Sequence, residues 1–406
     1  MTTPLPPAFR SLAWSNLAAQ SAEQLSLAAV PIVAVMALNA GPGEVGMLAT
    51  AQTLPFLLLS IPLGLLADRG SRKRLMVLAE VVRAVSLLAI LAALVTGTAT
   101  LGLLAVLGFV GAVGTVGYSV AAPALLPSLV SGDALARANG RLELARSAAY
   151  AAGPALAGAL VSWLGASSAF VLAAILSGAA VALLARLFEP ARTPGPVRHP
   201  WVDLKEGAGL IWHHRLLKPI LWTSVAWNIS WFVMQAAYVP YAIRALGMNA
   251  STVGMTLASY GVGMILGALL APRIVGALPF GRAIMLGPFV SVLAMATMVS
   301  TLLWPHAFVA GLSFFFFGVG PIIWTITSMT LRQTVTPSAM LGRVSALFLT
   351  VNMGARPLGA TLGGIVGAAW GESACLVLAL AGLVVQAIVI TASDVRNLHD
   401  LPPRVN

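Results

Sequence analysis

Long apolar runs alternate with short polar punctuation along this chain. A helix needs roughly 20 apolar residues to cross a hydrocarbon layer about 30 Å thick. Runs of that kind begin near residues 12, 45, 75, 101, 143, 167, 218, 251, 283, 306, 344 and 373, separated by Gly, Pro or charge. Backbone amides in lipid have no water to bond, and strict alternation of period two is absent, so the runs read as helices and not as barrel strands. The pattern predicts an all-α membrane protein with twelve transmembrane helices.

One polar interruption is longer than the others. "EPARTPGPVRHPWVDLKEGAGLIWHHRLLK", Glu189 to Lys218, is rich in Pro and charge and predicts a short amphipathic helix from Trp201 to Trp212. Such composition suits a linker. It divides the chain into a six-helix bundle at 1–188, a cytoplasmic linker at 189–217 and a second six-helix bundle at 218–406. Three matches in the same order relate the halves. "GLLADR" (Gly64 to Arg69) pairs with "ALLAPR" (Ala268 to Arg273) at an offset of 204, and "GPALAG" (Gly153 to Gly158) with "GATLGG" (Gly359 to Gly364) at 206. Asn16 and Glu23 fall opposite Asn228 and Gln235 at 212. Two pseudo-symmetric six-helix repeats of this kind place substrate and coupling sites near the membrane midplane between them.

Composition agrees: 59% of residues are hydrophobic and 9% charged, against roughly 25% charged in soluble domains. A net charge of +11 would suggest nucleic acid in a soluble protein. Here 20 of the 23 basic residues fall in the segments expected on one side, with Arg244 near the other and Arg83 and Arg356 inside spans. That asymmetry predicts both termini in the cytoplasm and removes the need for a nucleic-acid partner. The first run, about 27 residues long with a polar middle, is too long for a cleaved signal peptide, so the N-terminus is expected to stay. The single cysteine, Cys375, excludes an internal disulfide and a thiol metal cluster and reads as a small packing residue. His213 and His214 lack a carboxylate or thiol at ligand spacing and read as interfacial. No metal and no cofactor is expected. Neither a P-loop nor a nucleophile triad is present, so the chain is not read as an enzyme or ATP-driven pump. Transport would draw on a gradient.

The candidate chemistry lies in polar residues at membrane depth. From Leu12 to Glu23 is a rise of roughly 16 Å, which brings the carboxylate near the middle of the first span. An ionised acid there costs about 2.5–3.5 kcal/mol on insertion scales and should face the bundle interior or water. Asn16, Gln20, Glu23 and Gln24 follow i, i+4, i+7, i+8 spacing and would line a cavity. Glu80 and Glu143 are expected within a turn or two of the cytoplasmic ends, which leaves Glu23 as the acid near the bilayer centre. It is the candidate carrier of a coupling proton, the alternatives being a hydrogen-bonded structural acid or half of a buried ion pair. Arg356 in the eleventh span needs an anionic partner: Glu23, an acidic substrate, or a set of carbonyls with water. On the seventh span, Asn228, Trp231, Gln235 and Tyr238 share a face suited to a large, partly apolar, hydrogen-bonding ligand. Tyr118 and Trp324 are weaker lining candidates. Trp222 and Trp227 read as interfacial anchors, and Phe314 to Phe317 as lipid-facing or packed.

Two stretches carry a family resemblance. "GLLADRGSRKRLM", Gly64 to Met76, resembles the loop between helices 2 and 3 of the major facilitator superfamily, with Ser71 where that pattern often has Gly. Gly64 would permit close helix approach. The resemblance makes Asp68 and Arg69 gate residues, with Arg72 the basic partner of Asp68. "LPSLVSGDALARANGRLELARSAAYAAGPALAG", Leu126 to Gly158, is similar to the drug and siderophore exporter branch, which includes macrolide efflux proteins and the enterobactin exporter. Gly153 and Pro154 fit that branch's antiporter motif in helix 5, either as a packing kink or as a feature that sets transport direction. The resemblance implies the major facilitator fold in a bacterial inner membrane, as a monomer. It also implies proton-coupled efflux of amphipathic small molecules, drug-like or siderophore-like. The other readings are uptake of an organic anion held by Arg356 and a sensor that binds without transporting.

Overall fold

The computed structural model describes residues 6–130, 132–189, 200–337 and 340–402. They form α1 (Pro7–Leu38), α2 (Pro42–Arg69), α3 (Arg72–Val95), α4 (Leu101–Leu129), α5 (Gly132–Leu164), α6 (Ser168–Ala185) and α7 (Pro200–His213). There follow α8 (Leu217–Arg244), α9 (Ala250–Ala277), α10 (Phe280–Ser300), α11 (Ala307–Val335), α12 (Leu341–Thr391) and a 3-10 turn, Asp394–Asn397. No strand occurs among the described residues. Ten helices are long and apolar enough to cross a membrane. The count treats α12 as one helix, but its 51 residues are two helices joined at Gly371, whose φ of 80° suits a residue without Cβ. α8 is 28 residues long and falls below the apolar threshold because it carries Asn228, Gln235 and three tryptophans. Counting α8 and both parts of α12 gives the twelve helices that the hydropathy pattern predicts. α7 is the short amphipathic helix expected over Trp201 to Trp212.

Two compact units result: Met1–Gly195 with Gly247–Ala258, and Pro196–Leu246 with Ser259–Asn406. The first has a core that joins Phe9 and Leu12 of α1, Met76 of α3, Tyr118 and Leu125 of α4 and Leu184 of α6. In the second, Ile211 of α7 enters a core with Ile284, Leu331, Val344, Phe348 and Ile390. Glu206 pairs with Arg343 at the start of α12, and Gly207 leaves the room that the Arg343 carbonyl occupies. α7 is therefore docked on its own unit, not suspended as free linker.

His214 organises the entry to α8. Its Nδ1 accepts the backbone N–H of Leu216 at 3.2 Å and of Leu217 at 3.3 Å, satisfying donors that a helix start leaves open. Partial burial lowers its pKa below the ordinary 6.5. The neutral ring is the one that can accept, so the cap is intact above about pH 6.5 and is lost as pH falls through the lowered folded-state value. His214→Asn keeps an acceptor that does not titrate. In melts of the purified protein between pH 8 and pH 5, wild type should lose stability relative to this variant on acidification, by on the order of 1 kcal/mol or less, the worth of a helix cap. Parallel pH profiles would contradict the assignment.

Candidate functional site

Glu23 lies at the midpoint of α1, with 16 residues before it in the helix. The polar stripe around it spans about 100° of arc, from Glu23 at one edge through Asn16 and Gln20 to Gln24 at the other, and its members meet different surroundings. Asn16 donates from Nδ2 to the Leu142 carbonyl of α5 at 3.3 Å. Gln24 is 5% exposed and presses on α5 at Gly153, where an added Cβ would come within 2.5 Å of its Cβ. Gln20 and Glu23 keep partial exposure. The expected cavity face is thus narrowed: Asn16 and Gln24 pack α1 on α5, and only Gln20 and Glu23 stay partly open.

A second charge site lies in α3. Glu80 is completely buried and Arg83 nearly so; Arg83 Nη1 meets Glu80 Oε1 at 3.0 Å. Ser177 of α6 donates to Glu80 Oε2 at 2.8 Å. Arg83 donates from Nη2 to the Thr115 hydroxyl of α4 at 3.0 Å and from Nη1 to the Ala19 carbonyl of α1 at 2.9 Å. Ala19 is one turn before Glu23, so the pair stitches three helices to the turn that presents Glu23. Gly114 makes room for it, since a Cβ there would collide with the Ala79 carbonyl and crowd Arg83. The helix begins at Arg72, which puts Glu80 about 12 Å, or two turns, from its start; what the sequence did not show is the burial of Glu80 and its pairing with Arg83.

The loop before α3 closes on a residue that the sequence motif does not contain. Glu189, just beyond α6, accepts the Ser71 hydroxyl at 2.5 Å, the Arg72 N–H at 2.9 Å and the Lys73 N–H at 3.2 Å. A carboxylate on the open amides of a helix start is favoured by hydrogen bonding and by the helix dipole together. Arg72 turns its guanidinium to the carbonyls of Ala67 and Ala124, tying the ends of α2 and α4. The side chains of Asp68 and Arg69 lie outside the described residues. A Cβ on Gly64 would meet no atom within 4 Å, so the close approach expected there is absent from this conformation. Close approach occurs instead in α5, where the Pro154 carbonyl and Gly158 lie against Gly254, leaving no space for a Cβ at either glycine.

In the second unit the expected ligand face of α8 also divides. Trp231 is 9% exposed and its ring lies 5.4 Å from Trp227 (stacked), 5.2 Å from Tyr260 and 5.0 Å from Phe317. Tyr238 is sealed against Phe314 at 4.5 Å. These rings form a packed aromatic cluster between α8, α9 and α11. Trp227 belongs to it and is not the interfacial anchor expected; Phe314 and Phe317 are packed, as the run of four phenylalanines allowed. Asn228 donates within its helix to the Ser224 carbonyl at 3.0 Å, while Gln235 stays partly exposed. Trp324 packs against Gly287 of α10, and Tyr118 lies 2% exposed in the core of the first unit with Ser15 at 3.3 Å. Both are buried in this conformation. Arg356 is partly exposed and holds its guanidinium 5.7 Å from the Phe232 ring centre, beside the point where Gly359 lets α12 touch the α8 backbone at Ile229.

Residues 12–360 match the family model of the Major Facilitator Superfamily. The chain belongs to this superfamily. It is 28% identical over 298 residues to an uncharacterized MFS-type transporter, y4rN, of Sinorhizobium fredii, covering 68% of this chain and 69% of that one. The fold is similar to a bacterial homolog of the human lysosomal transporter Spinster, with TM-score 0.77, 15% identity and coverage of 96% and 97%. A bacterial homologue of the iron transporter ferroportin gives 0.75, 16%, 96% and 99%. This major facilitator protein is a multi-pass membrane transporter that acts on small molecules, and it is not an enzyme.

The charge network and the loop closure each make a prediction. Glu80→Gln leaves Arg83 buried without its countercharge and should lower stability by about 3–5 kcal/mol, whereas Glu80→Gln with Arg83→Gln should lose less than the single change. Thermal unfolding monitored by tryptophan fluorescence checks the order; a double variant worse than Glu80→Gln would contradict it. Glu189→Ala removes the acceptor for three donors, so trypsin should cut after Arg72, Lys73 or Arg74 about fivefold faster, matching a cap worth about 1 kcal/mol.

Proposed function

We propose that this transporter couples proton movement to export of amphipathic small molecules, drug-like or siderophore-like, by alternating access. The observation that carries the reading is Glu23: a carboxylate at the centre of a membrane-spanning helix that stays partly exposed while Ala22 and Gln24 beside it are closed. A group at that depth is held between a low-dielectric surround that favours its neutral form and polar neighbours that favour its charge, which suits proton exchange as access alternates. Gln20, on the same open strip, supplies a hydrogen-bonding partner for substrate. The likeness of Leu126 to Gly158 to the exporter branch supports the direction, and the Gly158 and Gly254 crossing supplies a tight pivot for it. Here the halves at 1–188 and 218–406 are the moving bodies, and Gly64, Asp68, Arg69 and Arg72 form the gate.

A second reading has its own observation. Arg356, partly exposed over Phe232, offers a cation beside an aromatic surface, which suits an organic anion taken up and not expelled.

Reconstituted protein distinguishes these. With a candidate substrate in the lumen and an imposed proton gradient, wild type should move protons and substrate in opposite directions. Glu23→Gln should abolish gradient-driven movement while preserving substrate binding. Gradient-driven accumulation by Glu23→Gln at the wild-type rate would sink the coupling role. Co-directional movement that is lost in Arg356→Gln would favour the anion permease.

A further inference from the structure

α7 ends and α8 begins in a group of residues that neither packing nor transport uses. Ile211 and Gly207 face inward on α7. Trp212, one position on, is 57% exposed, and Trp222, in the second turn of α8, is 44% exposed. Their rings meet edge to face at 6.4 Å and an interplanar angle of 71°. Lys218 lies between them in sequence, with Nζ 4.5 Å from the centre of the Trp212 ring. Arg215 and His213 are exposed beside it. Lys205 is seven residues before Trp212 and so on the same flank of α7.

Apolar rings of this size are costly to leave in water, and here they are rimmed by cations and not by carboxylates. Glu206 is the acid nearest in sequence among the described residues, and it is engaged by Arg343. The position is also continuous with the lipid-facing surface, because Trp222 lies on the opening turns of a helix that crosses the bilayer. Indole rings favour the headgroup level, where one face meets acyl chain and the N–H meets water.

We propose that the Trp212, Arg215, Lys218 and Trp222 group is a binding surface for an anionic phospholipid of the leaflet that faces α7. Arg215 and Lys218 take the headgroup phosphate, and the paired indoles rest on the glycerol and upper acyl region. Because α7 is clamped to the start of α12 through Glu206 and Arg343, a lipid held here anchors that end of the second unit to the membrane surface. Each cation near an anionic surface contributes on the order of 1 kcal/mol, or about fivefold in occupancy.

The test uses the full-length protein in nanodiscs of phosphatidylcholine with increasing phosphatidylglycerol, followed by native mass spectrometry and thermal unfolding. Wild type should retain phosphatidylglycerol and gain stability as its fraction rises. Lys218→Ala and Arg215→Ala should each lower retention about fivefold. Trp212→Ala should lower it too, and Lys218→Arg should restore it, which separates lost charge from a damaged fold. Inorganic phosphate at constant ionic strength should give no comparable stabilisation. The proposal is overturned if phosphate alone reproduces the effect, if neutral and anionic lipid are retained equally, or if Lys218→Ala with Arg215→Ala binds as wild type does.

Discussion

A polar group placed where water cannot follow is costly unless it finds a partner inside the protein, and much of the architecture of this transporter follows from where the buried charges found theirs. In a solvent of hydrocarbon the backbone has no choice but helix, so the twelve long helices follow from apolarity alone. The charges are less constrained and more informative. Glu80 and Arg83 are the extreme case: a carboxylate with no exposure and a guanidinium at 4% meet at 3.0 Å, and α1, α4 and α6 each donate or accept at hydrogen-bonding distance. The pair contributes little net energy against an apolar replacement. What it supplies is a set of directional contacts that ties four helices, α1, α3, α4 and α6, at one point.

The same constraint at the helix ends shows the internal repeat more clearly than the sequence does. In the first half Glu189, in the segment that follows the sixth span, turns back and accepts the Arg72 amide at the start of α3. In the second half the Leu398 carbonyl accepts the Gly281 amide at the start of α10, at 2.7 Å. Both donor and acceptor are related by one offset, 209 residues. His399 does the same for Phe280 at 2.9 Å. The first half closes its loop with a carboxylate and the second with main chain, and Gly281 is required there because a Cβ would strike the Val395 and Arg396 carbonyls. The duplicated feature is therefore the bond, not the residue that makes it. The side-chain latch can be removed by one substitution; the main-chain latch cannot.

This difference explains what could be read in advance. Apolar run length, the division between the runs that begin near residues 344 and 373 and the short amphipathic helix over Trp201 to Trp212 were legible because they depend on local composition and spacing. Glu189 was not, because its partners lie 116 to 118 residues away and its sequence context is that of any linker acid. The pairing of Glu80 and Arg83 was missed for the same reason, since their partners Ser177, Thr115 and Ala19 lie 32 to 97 residues away. Trp227 was misassigned because a tryptophan near the end of an apolar window usually marks an interface, and only the arrangement of Tyr260 and Phe317 around Trp231 shows that this one is stacked inside.

The division of both polar stripes bears on what can touch a substrate. On α1 Asn16 and Gln24 are consumed by α5, and on α8 Trp231 and Tyr238 are consumed by α9 and α11, so each helix gives up conspicuous candidates to packing. What remains partly exposed is sparse and mixed: Gln20 and Glu23 on one helix, Phe232 and Gln235 on the other. Sparse polar groups among apolar walls fix orientation at a few points and leave the rest of a ligand to shape and hydrophobic contact. One methylene more or less in such contact changes affinity only modestly. In each unit it is the packed residues behind the strip, Asn16 and Gln24 against α5 in the first and Trp231 and Tyr238 against α9 and α11 in the second, that decide which few polar groups of that helix stay open.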